Sequence, residues 1–200
     1  MSYLAAVIGG YLAGSIPTGY WLVRLVRGID IRRVGSRSIG ATNVWRVMGW
    51  KLGVPTILVD VAKGLVPTLL AVQLVDDVAG VLAGAAAMVG HARPLFLKFE
   101  RGGKAVATTG GVMIGLAPVV AVGGLIVWIV TFVVARYVSV ASMAAALSLP
   151  VFAFAVGESW PVRLVTIAAA GAIVFLHREN IGRLFARREP RVHLAAMFKR

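Results

Sequence analysis

The chain has no cysteine. That excludes a disulfide framework, a thiol nucleophile and a thiolate metal site. Histidine is scarce, three in all, and none stands at ligand spacing from a glutamate or a second histidine, so no metal is expected. Acidic residues are few as well: 8 Asp and Glu against 21 Lys and Arg, for a formal net charge of +13. Charged residues of both signs make up only 14% of the chain and apolar residues 59%, where soluble domains average about 25% and about 45–50%. Residues 1–23, 64–75 and 105–135 hold no charge at all. They also lack the 3.6- or 2.0-residue alternation of a half-buried soluble element. A membrane crossing needs about 20 apolar residues, and there is room here for several. The first apolar run has no basic segment before it and no small-residue cleavage site after it, so it is expected to stay as a helix.

A net positive charge is also the footprint of nucleic-acid binding. Here the basic residues fall in loops between apolar runs, which is how orientation in a bilayer is encoded. No nucleic-acid partner is expected. The apolar runs predict an all-α polytopic membrane protein with segments at 3–26, 53–75, 78–90, 105–117, 119–135, 139–156 and 161–176. The third and fourth are short, about 20 Å at 1.5 Å per residue. If the run 105–135 turns back at Ala117-Pro118, all but Lys63 and Arg163 of the 21 Lys and Arg share one side. The positive-inside rule prefers that arrangement. It predicts seven transmembrane helices with the N-terminus outside and the C-terminus cytoplasmic. One integral-membrane domain over 1–200 is expected, with a basic cytoplasmic tail from about Gly182.

Chemistry concentrates in the loops on that basic side. Within eleven residues the first supplies Ser36, Ser38, Gly40, Thr42, Asn43 and Arg46. Phosphate is held by backbone N–H groups that need glycine for close approach, by hydroxyl donors and by Arg or Lys. A loop that only orients the protein needs charge but no such cluster. The second loop carries Arg101-Gly-Gly-Lys104 just before a predicted helix, whose free N–H groups and positive end suit an anion. It is not a Walker A loop, because the required spacing is absent. His177, Asn180 and Arg183, at i, i+3 and i+6, are predicted to share a helix face. Ser139 and Ser142 are open to bonding their own backbone at i−4. Asp60 and Lys63, three apart inside the second span, read as a structural ion pair or as an acid–base couple.

Taken together these stretches resemble the bacterial acyl-phosphate:glycerol-3-phosphate acyltransferase family of membrane enzymes. The resemblance is carried by Gly14-Ser-Ile-Pro-Thr-Gly19, Gly35-Ser-x-x-Ile-Gly-Ala-Thr-Asn-Val-x-Arg46, Asp60-x-x-Lys-Gly64, Gly90-His91, Gly102-Gly-Lys104 with Val106-Ala-Thr108, Arg136-Tyr-Val-Ser139 and His177-Arg-Glu-Asn180. It implies transfer of a fatty acyl group from acyl phosphate to the 1-hydroxyl of glycerol 3-phosphate, giving lysophosphatidate and inorganic phosphate in phospholipid biosynthesis. It implies a cell inner-membrane enzyme with its active site on the cytoplasmic side, without metal or cofactor. By position it assigns Arg46, Lys104, His177 and Asn180 to glycerol 3-phosphate, and Gly102, Gly103, Thr42 and Ser142 to the acyl phosphate head. Ser36 and Asn43 would shape the pocket between them. His177, Lys104 and Thr42 would stand at the reacting groups, with His177 as general base or as an orienting hydrogen-bond partner. Two departures stand out: Ser38 where the family has Asn, and Ala105 where it has Gly. Alanine favours negative φ, so the turn at Ala105 is expected to differ. A transporter of anionic phosphorylated solutes is the alternative reading, and a protein that only binds lipid headgroups through its basic tail is a third.

Overall fold

In the computed structural model, which describes residues 2–192, every regular element is helical. The elements are α1 (Tyr3–Gly14), α2 (Thr18–Arg27), α3 (Ala41–Met48), α4 (Trp50–Leu74), α5 (Asp77–Ala92), α6 (Val106–Leu116), α7 (Pro118–Ala135), α8 (Val138–Ala155), α9 (Trp160–Leu176) and α10 (Arg178–Phe185), with 3-10 turns at Ile31–Arg33 and Leu95–Leu97. The outer surface is apolar: Leu58, Val119, Val134 and Val151 are each more than 60% exposed. On α7 only Val120, Gly124 and Phe132 are buried. Such an outside has lipid, not water, as its solvent.

By length and composition, four stretches among the described residues can cross a membrane: Trp50–Leu74, Asp77–Leu97, Pro118–Ala135 and Val138–Ala155. A fifth is available if α9 and α10, bent by 53°, count as one. The first expected span, 3–26, is not one helix. Pro17 has no N–H to continue the ladder and pushes the residue before it out of the helical region, so the chain breaks between α1 and α2. The break frees the Ile16 carbonyl, which accepts a hydrogen bond from Lys63 Nζ at 2.9 Å. Lys63 also pairs with Asp60 at 2.7 Å, both side chains being buried. The contacts show the couple as an ion pair, and Asp60 also lines the cavity described below. The run 105–135 breaks at Ala117, with Pro118 as the first residue of α7. At 11 residues α6 is too short to cross alone.

Small residues bring the helices together. A Cβ on Gly10 or Gly14 of α1 would lie 2.2 or 2.1 Å from a backbone oxygen of α5, and one on Gly64 of α4 would lie 2.2 Å from the Thr108 oxygen of α6. Backbones this close gain dispersion contacts that lipid-facing leucines would prevent. The pairs so formed are α1 with α5, α4 with α6 and α5, α7 with α8, and α8 with α9. A core around Val112, Met113, Val120, Leu149 and Val165 joins α6 to α9. A second one, around Val23, Ile31, Val44 and Leu97, supports the loops of the basic face.

Candidate active site

The first loop is built around Asn43. Its amide oxygen accepts from Ser36 N at 2.8 Å. Its Nδ2 faces the carbonyls of Ile31, Val34 and Ser38 at 3.3, 3.1 and 2.8 Å. Every hydrogen-bonding atom of this amide is engaged by the loop's own backbone, so Asn43 holds the loop in shape. Gly35 takes φ +59 against it, and a Cβ there would come 2.3 Å from Asn43 Oδ1.

In the second loop the glycines do a different job from the one expected of a phosphate cradle. Gly102 N and Gly103 N donate to the carbonyls of Ala92 and His91, each at 3.0 Å, so they close the end of α5. A Cβ on Gly103 would fall 1.9 Å from His91 Nε2. Neither glycine lines the cavity described below. Ala105 was expected to alter the turn. It instead adopts φ +58, the left-handed region a glycine would take, at a cost of about 1 kcal/mol. That conformation aims Lys104 inward, where its Nζ donates to Asn180 Oδ1 at 2.5 Å.

His177 marks the bend between α9 and α10, just past the apolar span. Its Nδ1 lies 2.8 Å from the Ile173 carbonyl oxygen. A carbonyl only accepts, so Nδ1 carries the proton and Nε2 keeps a lone pair. Burial first, and the Lys104 charge second, lower the His177 pKa to about 4, so the ring is neutral at physiological pH. The serines do not bond back to their own helix as expected: Ser139 donates to Glu189 Oε1 at 2.7 Å, and Ser142 accepts from Trp128 Nε1 at 3.3 Å.

Glu189 was not anticipated. The residues expected to trail away from Gly182 stay helical to Phe185, then double back until Val192 N donates to the Arg136 carbonyl at 2.8 Å. Residues 193–200 of that expected tail lie outside the described residues. The return places the Glu189 carboxylate against Ser139, Asn180 Nδ2 and Arg183 Nε, each at 2.7 Å. Burial pushes its pKa up, but those hydrogen bonds outweigh burial and hold it below the usual value. One signal was available in the sequence: a single acid set among Arg187, Arg188 and Arg191.

Ion pairs stitch these stretches together. Arg32 of the first loop binds Glu100 of the second, and Arg101 binds Glu179 of α10. The result is a cavity of about 680 Å³. At its polar end stand Ser36, Ser38, Thr42, Asn43, Arg46, Lys104, Ser142, His177, Asn180 and Glu189. From there it runs between α4, α6, α7 and α8 over Ile57, Met113, Ile114, Leu125, Trp128 and Leu149. Of the ten residues assigned from the sequence, only Gly102 and Gly103 lie outside it. Two cations, Arg46 and Lys104, line the cavity with the carboxylates of Glu189 and Asp60; Asp60 is neutralised by buried Lys63, and Arg183 pairs with Glu189 from just outside the lining. Arg46 has no ion pair or side-chain hydrogen bond among the described residues. Burial lowers the Lys104 pKa to about 8, with the Glu189 charge opposing the shift. A polar pocket with excess positive charge, opening into an apolar channel, suits a ligand with an anionic head and a hydrocarbon tail.

Residues 4–187 match the family described as glycerol-3-phosphate acyltransferase. The chain belongs to that family. The glycerol-3-phosphate acyltransferase of Desulforudis audaxviator is 47% identical over 195 residues, covering 96% of this chain and 98% of that one. Those of Aquifex aeolicus and a Synechococcus strain are each 42% identical, covering 96% of this chain and 100% and 94% of theirs. Two crystal structures of PlsY (YgiH), an integral membrane glycerol 3-phosphate acyltransferase, superpose closely. Its glycerol 3-phosphate form gives a TM-score of 0.93 at 41% identity, covering 98% of both chains. Its lysophosphatidic acid form gives 0.90 at 40%, covering 98% and 97%. This chain is therefore an integral-membrane acyltransferase of phospholipid biosynthesis, and the transporter reading falls away.

Proposed function

We propose that this acyltransferase takes its acyl group from acyl phosphate and delivers it to the 1-hydroxyl of glycerol 3-phosphate, yielding lysophosphatidate and inorganic phosphate. The observation that carries the reading is the continuity of one cavity, cationic at one end and apolar along the other. An acyl phosphate is a mixed anhydride with a good leaving group, so the chain needs no covalent intermediate and, with no cysteine, offers no thiol for one. The glycerol 1-hydroxyl attacks the acyl carbonyl carbon. A carbon–oxygen ester bond forms, the carbonyl carbon's bond to the phosphate oxygen breaks, and phosphate departs with that electron pair.

The relative basicities favour substrate phosphate as the acceptor of the hydroxyl proton. His177 has a pKa of about 4, whereas a phosphate monoanion titrates near ~6. Phosphate is the stronger base, so substrate phosphate takes the proton while His177 Nε2 accepts a hydrogen bond that aims the hydroxyl. Lys104 and Arg46 hold the glycerol phosphate with Asn180. Thr42 and Ser142 hold the acyl phosphate head, and Ser36 and Asn43 shape the wall between the two. The rate enhancement then comes from placing the reactants and from fixed charge around the leaving phosphate. Gly102 and Gly103 act through the turn that presents Lys104.

We further propose that the chain works as one membrane domain of seven segments in the cell inner membrane. α1 with α2 forms the broken first segment, and α6 a short fourth one. The N-terminus lies outside, and the cavity's polar end opens to the cytoplasm. The test of the chemistry uses detergent-purified protein with palmitoyl phosphate and glycerol 3-phosphate. Phosphate release that requires both substrates, with stoichiometric lysophosphatidate, is expected. Lysophosphatidate formed from palmitoyl coenzyme A but not from palmitoyl phosphate would overturn the donor assignment.

A further inference from the structure

Two adjacent glycines of α6 differ in what surrounds them. A Cβ on Gly111 would lie 2.0 Å from the Val61 carbonyl oxygen of α4, so close helix packing requires glycine there. A Cβ on Gly110 would meet nothing within 4 Å. Glycine inside a helix is destabilising relative to alanine, and no neighbour of Gly110 demands it. Five other glycines among the described residues have the same empty surroundings: Gly9, Gly28, Gly157, Gly171 and Gly182. None of those lines the cavity; Gly110 does. The space left by its missing side chain is cavity space.

Its place along the cavity matters. Val106, Gly110, Met113 and Ile114 recur at the three- and four-residue spacing of one helix face, and all four line the cavity, as does Pro118. At 1.5 Å per residue, Gly110 stands about 6 Å of helix axis beyond Val106, and Ile114 about 12 Å beyond it, after which the lining passes to Pro118 at the start of α7. One leaflet of a bilayer is about 15 Å of hydrocarbon, half of the ~30 Å core, so the α6 lining runs beside most of the length of a membrane acyl chain. An acyl chain that lies along this face of α6 passes Gly110.

We propose that Gly110 sets the acyl-chain length this enzyme accepts, by leaving open the point where a long chain passes α6. The inference rests on the acyl-donor reading above. Because the chain has no cysteine, Gly110→Cys introduces a single thiol, and bulk can be added after the protein has folded. The full-length variant is treated with methyl or benzyl methanethiosulfonate, with labelling confirmed by intact mass. It is then assayed with butyryl and palmitoyl phosphates. The benzyl adduct is expected to lower kcat/KM for palmitoyl phosphate by at least about tenfold, the effect of two methylenes losing their burial, and that for butyryl phosphate by less than about twofold. Gly171→Cys, on the exposed face of α9, should give the same adduct with no change in the ratio. Gly110→Leu supplies similar bulk without a reagent and should show the same selective loss. Both donors falling together, or neither falling, overturns the assignment of Gly110. Wild-type protein that uses no acyl phosphate overturns the donor reading instead, so the two failures are distinct.

Discussion

Lys104 offers the sharpest test of the anion site. Its ammonium is more than half enclosed, donates to Asn180 Oδ1 at 2.5 Å, and shares its surroundings with His177, Arg183, Arg101 and Glu189. On the proposed role of Lys104, replacing it with alanine removes a charge-assisted hydrogen bond to substrate phosphate, worth about 1.5–3 kcal/mol. It also strands the Asn180 oxygen. The expected loss in kcat/KM for glycerol 3-phosphate is therefore roughly 10- to 150-fold, since each 1.36 kcal/mol is tenfold. The pH dependence has a definite sign. Burial lowers the Lys104 pKa to about 8, so the cation is present below that value and lost above it. kcat/KM reports the free enzyme and should fall as pH rises through about 8. The limb of kcat should lie higher, because bound phosphate favours the charged amine. Lys104→Arg keeps its charge across this range and should remove the alkaline fall even if its rate is lower. Initial rates of phosphate release over about pH 6–10 provide the assay. A Lys104→Ala enzyme within about threefold of wild type, with the same alkaline limb, would refute the reasoning.

Other expectations follow from the same contacts. Glu189→Gln removes the charge that supports the Lys104 ammonium and turns an amide N–H toward Arg183; the alkaline limb should move below its wild-type position in the same profile. Asn43→Asp keeps the size but cannot donate to the Ile31, Val34 and Ser38 carbonyls. A destabilisation of roughly 3 kcal/mol or more is expected, read as a lower Tm in detergent. Lys63→Met leaves Asp60 buried without its lysine partner and takes one of two donors from the Ile16 carbonyl, which keeps the Thr18 N–H; a loss of about 3–5 kcal/mol is expected. Asp60→Asn combined with Lys63→Met should recover part of it in a thermal melt, and a double variant no more stable than the single would contradict that account.

Much of the site was legible because its residue types have few other uses. Ser36, Thr42, Arg46 and Lys104 announce anion binding wherever they cluster in Gly-rich loops, and the structure places all four on one cavity. The role of Gly102-Gly103, and the partners through which Asn43 shapes its loop, were harder to read. Asn43 is consumed by three carbonyls of its own loop, and the two glycine N–H groups by the end of α5. Which donor meets which acceptor across such gaps depends on the folded backbone. Glu189 was missed for the same reason. In a run of arginines an acid reads as a solvated neighbour until the chain doubles back and buries it. The break in the first span shows both sides: Pro17 marks where the helix has to stop, but not that the Ile16 carbonyl would be answered by a lysine 47 residues away.

The sequence alone, through charge-free runs and basic loops, established a helical membrane protein and pointed to side chains suited to phosphate. Burying a backbone in lipid leaves helices as the natural answer for such runs, and that constraint acts locally. Only the tertiary structure decided that those loops close on a single cavity, and that a channel along α6 continues it. It also decided that Gly110 faces empty space while Gly111 faces a neighbouring helix. Adjacent residues of one type carry no label for direction; the partner that each side of the helix meets supplies it.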